Sequence, residues 1–285
     1  MIKLSREEIV LKVLSVLKGT TAILNKHNTS SEEKSGVGNI VTETDKELES
    51  FIVENLNELF PFAYVISEES AEVNESIENY NLIFIIDPLD GTNNFTNGWP
   101  HTISIGIADS QELFGGLVYD VLGENIYYSI KGEGVLYCDI NNISDIKKIK
   151  APNYDVKDIK KAIISFDTPY EKEAFKVTNK MFSSLYNEGA CLKIVGPTSL
   201  DVLKTALGVE NRPHDYNNAV LYSEVRAWDL AASSVILREL GGEIIGKDGK
   251  PLSYEVLTSP TEKISFIACG NPIMLKKIFK LYKDK

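Results

Sequence analysis

Between residues 82 and 130 four β-rich runs follow one another, LIFIID (82–87), TISIGIAD (102–109), LFGGLVYD (113–120) and NIYYSI (125–130), with no helical period among them. Strands linked so closely tend to return beside one another as hairpins, because a parallel return needs a long crossover, usually a helix. The runs predict a mixed or antiparallel sheet, to which FAYVIS (62–67) adds a further strand. Gly115 and Gly116 mark a bulge or a close approach of strands. Two helices flank the start. Ser5 and Glu8 form a capping-box pattern ahead of Ile9, Val10, Val13, Leu14 and Leu17, and a second box, Thr44 with Glu47, opens a helix whose apolar side is Leu48, Phe51, Ile52, Leu56 and Leu59. This half reads as α+β.

After about residue 150 strands and helices alternate: KAIISF, a helix near 171–187, CLKIV, a helix near 198–207 and a helix near 229–240 that ends in Gly241-Gly242. Strands at 243–246 and 264–268 follow, and Asn271-Pro272 caps a last helix. This half reads as α/β. The 285 residues, 43% of them hydrophobic, contain no repeat and no long linker. The expectation is two closely packed lobes, 1–150 and 151–285, that share a cleft.

The net charge is −11, which excludes duplex DNA as a natural partner, since an acidic surface repels a phosphate backbone. A small phosphorylated substrate meets the same repulsion unless bound cations reverse the local field. Cys138, Cys191 and Cys269 lie far apart and suggest neither a disulfide framework nor a thiolate metal site. His27, His101 and His214 show no zinc-binding spacing, and no glycine-rich nucleotide motif is present. Arg6, Glu7, Glu8 and Lys12 interrupt the N-terminal apolar pattern, so neither a secretion signal nor a membrane span is expected, and the cytoplasm is the expected compartment.

The chemistry concentrates in Asp87-Pro88-Leu89-Asp90-Gly91-Thr92, directly after the apolar run Leu82–Ile86. A buried strand ending in this way delivers two carboxylates into a tight turn at its carboxyl end, where α/β proteins place ligands. Such a pair can serve two divalent ions about 3.5–4 Å apart, an arrangement suited to in-line phosphoryl transfer, and hard oxygen ligands favour magnesium. Gly91 and Thr92 offer backbone N–H groups to a phosphate at a helix start. Glu68 also follows an apolar strand, Asp45 sits in the first turn of a helix, and Asp229 begins the apolar helix WDLAA. Each has an ordinary alternative: a polar turn for Asp87 and Asp90, a solvated loop for Glu68, a macrodipole partner for Asp45, an N-cap for Asp229. A shared role is the more economical reading.

In order, VTETD, SEES, IDPLDGTNNF and WDLAA resemble the successive signature motifs of the inositol monophosphatases, over at least Val41–Gly242. The resemblance implies a layered αβαβα sandwich of the α+β class, usually a homodimer, that hydrolyses inositol monophosphate or a related sugar phosphate by in-line attack of a metal-activated water. It implies two to three Mg2+ ions. Glu68, Asp87 and the Leu89 carbonyl would hold the first, Asp87, Asp90 and Asp229 the second, and Glu68 with waters a weaker third. Asp45 and Thr92 would orient and deprotonate the attacking water, while Gly91 and Thr92 would bind the phosphate. Lithium sensitivity is a further implication.

Gly196-Pro197-Thr198-Ser199 resembles the family's substrate loop and helix start, with Gly196 and Thr198 as candidate substrate contacts. The segment from Leu207 to Ala227 is longer than in that family, and either Glu224 or Tyr222 could take the place of its substrate-binding glutamate. Fructose-1,6-bisphosphatase and 3′-phosphoadenosine 5′-phosphate phosphatase activities are alternatives within the fold. A catalytically silent metal- or partner-binding module is the alternative from another class.

Overall fold

The computed structural model describes residues 4–26, 29–33, 40–70, 80–167, 169 and 172–283; His27 lies outside them. Helices α1 (Arg6–Gly19) and α2 (Thr21–Leu24) lead to strands β1 (Ser31–Glu33) and β2 (Ile40–Thr42) and to helix α3 (Glu43–Leu59). Next come β3 (Tyr64–Ser67), β4 (Ile83–Asp90), the short helix α4 (Thr92–Thr96), β5 (Thr102–Ala108), β6 (Leu113–Asp120), β7 (Asn125–Ile130), β8 (Gly134–Asp139) and β9 (Asn142–Lys148). The remaining elements are β10 (Ile163–Phe166), α5 (Lys172–Asn187), β11 (Cys191–Lys193), α6 (Thr198–Asn211), β12 (Ala219–Val225), α7 (Ala227–Glu239), β13 (Glu243–Gly246), α8 (Tyr254–Leu257), β14 (Ile264–Cys269) and α9 (Pro272–Lys283).

The hairpin succession builds a seven-stranded sheet in the order β3-β4-β5-β6-β7-β8-β9, antiparallel except for the parallel pair β3–β4. A five-stranded mixed sheet, β11-β10-β12-β14-β13, follows from the alternating half. Apolar residues of α1 and α3 cover the outer face of the first sheet. Its inner face packs on α6 and α7, which fill the space between the sheets together with Val220, Tyr222 and Phe266 of the second. Residues of α5 and α9 cover the far face of that second sheet. The layers are therefore helices, sheet, helices, sheet, helices, the expected αβαβα sandwich.

Several details depart from the sequence reading. The cap of α3 is Thr42 with Asp45, two residues earlier than the Thr44–Glu47 box, because Asp45 reaches back to the Thr42 N–H at 2.9 Å. Glu47 instead pairs with Lys26 at 2.9 Å. Strand β4 does not end in a tight turn at Asp87; it continues to Asp90 with an irregularity in its pairing to β5 between the two acids, where Pro88 has no N–H to give the ladder. The expected bulge near Gly115 is present as a register shift between Ile107 and Ala108 on the neighbouring strand. Gly116 serves a different close approach, to a helix: a Cβ there would lie 2.8 Å from the Ala232 Cα of α7, and one at Gly106 would lie 2.7 Å from Ala231 Cβ. Within the long segment from Leu207 to Ala227, Leu207–Asn211 closes α6 and Ala219–Val225 forms β12 inside the second sheet. Trp99 is 58% exposed, while Phe95 is buried.

Candidate active site

Side-chain alternation along two strands begins the site. On β4, Phe84 and Ile86 face α1 and α3, whereas Ile83 and Ile85 face the layer between the sheets; Asp87 is next on that inner side. Ile66 of β3 also faces inward, and Glu68 follows it two residues on, held by its N–H to the Ile86 carbonyl at 3.2 Å. Helix α7 crosses the inner face and carries Asp229 in its first turn, not at its N-cap: the N-cap is Arg226, whose N–H donates to Asp229 Oδ2 at 2.7 Å. Carboxylate oxygens of Glu68, Asp87 and Asp229 thereby come within 4.8 Å of one another.

This convergence has an electrostatic cost. Burial drives the Asp87 carboxyl well above the usual carboxylate range, and Glu68, Asp90 and Asp229 add to the rise. Asp229 is raised in the same way, by burial first and then by Asp90 and Glu68. Among the described residues no ion pair involves Asp87, Asp90 or Asp229. Gathered carboxylates of this kind offer hard oxygen donors, which suit a divalent cation of the magnesium or calcium type.

Asp90 lies near enough to influence both acids, yet its carboxylate is engaged by the start of α6. Oδ2 accepts the Ser199 N–H at 2.7 Å and the Ser199 hydroxyl at 2.6 Å, and Oδ1 accepts the Thr198 N–H at 3.2 Å. Burial pushes Asp90 up to about 6, with the Ser199 hydrogen bonds opposing the rise. Leu89 contributes its N–H to Asp87 Oδ1 at 3.0 Å, and its carbonyl lies 3.3 Å from the Thr92 hydroxyl.

The predicted pairing of Asp45 with Thr92 is formed: the Thr92 hydroxyl donates to Asp45 Oδ1 at 2.7 Å. Asp45 Oδ2 is taken by the Thr42 N–H and hydroxyl, so both carboxylate oxygens have fixed partners. Gly91 is the N-cap of α4 with φ of 95°, a left-handed conformation that favours glycine, and a Cβ there would meet Pro197 at 2.7 Å. The phosphate-loop candidate is thus seated against the Gly196–Ser199 loop. Asn94 secures that loop through its amide, which donates to the Val195 and Pro100 carbonyls.

Of the remaining candidates, Thr198 and Gly196 line this junction. Tyr222 is buried, with its hydroxyl 2.7 Å from the Gly196 carbonyl and 2.8 Å from Asp201, so it braces the loop from behind. Glu224 is partly exposed with φ of 61° and pairs with Lys263 at 3.1 Å. His101 is a packing residue, buried edge-on to Phe95 with Nδ1 on the Trp99 carbonyl. Two groups escaped the sequence reading. Ser199 was passed over as a helix starter. Asp167 follows the run Ala162–Phe166 in the same strand-then-acid pattern that singled out Glu68 and Asp87; burial pushes it up to about 7, its Oδ2 accepts the Ser223 N–H at 2.8 Å, and its Oδ1 is buried without a partner.

With this geometry in hand, likeness to known proteins becomes informative. The family model described as the inositol monophosphatase family matches residues 3–276. The chain belongs to the inositol monophosphatase family. As a member it is 29% identical over 253 residues to the inositol-1-monophosphatase of Bacillus subtilis, covering 88% of this chain and 86% of the relative. It is 30% identical over 244 residues to human inositol monophosphatase 2, covering 82% and 78% of the two chains. Among solved structures, an inositol monophosphatase/NADP phosphatase complexed with NADP and Ca2+ matches with a TM-score of 0.81 at 22% identity, covering 98% of this chain and 96% of that one, which speaks for the shared fold. Membership of the inositol monophosphatase family makes the chain an enzyme, a phosphoric monoester hydrolase.

Proposed function

We propose that the protein hydrolyses a small phosphate monoester, inositol monophosphate or a related sugar phosphate, in a reaction that depends on Mg2+. The observation that carries this reading is the gathering of Glu68, Asp87 and Asp229 within 4.8 Å of one another, beside a separate, hydrogen-bonded Asp45–Thr92 pair. Glu68, Asp87 and the Leu89 carbonyl would hold one ion, and Asp87, Asp90 and Asp229 a second, with Glu68 available to a weaker third. Bound there, the cations supply charge stabilisation to the phosphoryl group and make a water more acidic.

The chain does the rest. The Thr92 hydroxyl donates to Asp45 and keeps lone pairs free to accept a proton, so a water placed before it is oriented and passes its proton toward the Asp45 carboxylate. Asp45 is itself fixed through Thr42, which preserves this direction. The Gly91 and Thr92 N–H groups open α4 and would receive the phosphate oxygens. Gly196, Thr198 and Glu224 would meet the alcohol part of the substrate from the second half of the chain. We further propose a homodimer acting in the cytoplasm, the first part checked by light scattering on the eluted protein. No helix among the described residues is long and apolar enough to cross a membrane.

The test is phosphate release from inositol 1-phosphate, fructose 1,6-bisphosphate, 3′-phosphoadenosine 5′-phosphate and NADP at equal concentration. The expected result is Mg2+-dependent turnover that is highest for the inositol ester and collapses in Asp90→Asn. Undiminished activity in EDTA would refute the metal-dependent reading, and a tenfold preference for a nucleotide substrate would reassign the substrate.

A further inference from the structure

Asp90 is joined to a chain of buried hydroxyls that crosses from one half of the molecule to the other. The Ser199 hydroxyl, on α6, donates to Asp90 Oδ2 at 2.6 Å. The Thr102 hydroxyl, on β5, lies 2.6 Å from the Ser199 oxygen and 3.5 Å from Asp90 Oδ2, at the limit of a hydrogen bond. Ser199 and Thr102 are completely buried and Asp90 is 7% exposed. With the Ser199 hydroxyl turned to the acid, Thr102 donates to Ser199, and the chain has one direction: Thr102 to Ser199 to Asp90.

The two oxygens of Asp90 are therefore unequal. Oδ2 receives two short bonds, from the Ser199 N–H and hydroxyl, and Oδ1 receives one longer bond, from the Thr198 N–H at 3.2 Å. A carboxylate that ligates a cation is held in place by hydrogen bonds to its other oxygen, and loss of such a supporting bond typically lowers metal affinity by about 10–100-fold. The geometry points to Ser199, backed by Thr102, as a positioning residue that clamps Asp90 Oδ2 and presents Oδ1 to a divalent cation. This inference rests on the reading of Asp90 as a cation ligand.

Metal-free chain titrated with Mn2+, with the free ion followed by electron paramagnetic resonance, tests it without reference to turnover. In Ser199→Ala one class of Mn2+ site is expected to weaken by at least tenfold while the other stays within twofold. Thr102→Val is expected to weaken the same class by a smaller factor. The double variant is expected to match Ser199→Ala within twofold, because Thr102 acts through the Ser199 hydroxyl. Thr102→Ser, which keeps the hydroxyl, restores the wild-type constant. Unchanged constants in Ser199→Ala, or equal weakening of every class, would overturn the inference. Asp90→Asn separates the two layers of the argument: if it leaves all Mn2+ sites intact, the ligand reading itself falls and the positioning role falls with it. If Asp90→Asn abolishes one class while Ser199→Ala does nothing, only the positioning role is refuted.

Discussion

The Thr92 hydroxyl donates to Asp45 in the resting chain, and in the proposed reaction it would also contact the attacking water. Removing the hydroxyl while keeping the shape isolates that duty: Thr92→Val is expected to lower kcat by roughly 10²–10⁴-fold, with KM within a few-fold, as read from steady-state phosphate release. Asp167 raises a different issue. Its ordinary value of 3.8 moves to about 7 in the folded chain because it is buried. A carboxyl raised in this way remains protonated when the unfolded chain has already ionised, so stability is full below about pH 4 and is lost as pH rises toward 7 and beyond. At about 1.4 kcal/mol for each pH unit between the two values, the loss approaches about 4 kcal/mol. Asp167→Asn is therefore expected to melt higher than wild type at pH 8 and at a similar temperature at pH 4, in scanning calorimetry with EDTA present. A higher melting point at pH 4 than at pH 8 for the variant, equal to that of wild type, would assign the pH dependence to other groups.

At the scale of elements, α7 matters most, because Asp229 reaches Glu68 and Asp87 only if the helix lies close on the sheet. Gly106 and Gly116 give it that approach. Gly116→Ala would push a methyl group against Ala232, with an expected cost of about 1–3 kcal/mol, visible as a melting point lower by several degrees and as weaker metal binding. These relations also explain what the sequence could reveal. Glu68 and Asp87 were legible because each follows directly on an apolar run, so that the acid emerges at a strand end. The hairpin strands β5, β6 and β7 were legible because their β-rich runs follow one another with no helical period among them. The pairing of Asp45 with Thr92 became visible through motif resemblance, since a sequence separation of 47 gives no local signal. The meeting of Asp229 with the strand acids was equally invisible in local pattern, because it depends on glycines in strands a hundred residues away. β9 was missed because its residues are mostly exposed and polar, as suits a sheet edge. Thr42 was missed because its capping partner is aspartate rather than glutamate.

For the molecule as a whole, the acid cluster makes folding and cation binding one problem. A ligand that binds only the folded state adds about 2.7 kcal/mol of stability at a hundred times its dissociation constant. For a chain of this size that corresponds to a rise in Tm of roughly 4–5 °C. Thermal melts in MgCl2 and in EDTA should differ by that amount, and Asp87→Asn should abolish the difference; identical melts for the wild-type chain would show that no cation links to folding. The layered architecture has a further consequence for synthesis. The inner face of the first sheet is covered by α6 and α7, and α7 starts about a hundred residues after β7 ends. At ordinary ribosomal speed, that face stays bare for roughly 5–20 s while the rest of the chain is made. A nascent polypeptide of this design must be shielded by a chaperone, or wait uncollapsed, until the helices that roof it emerge.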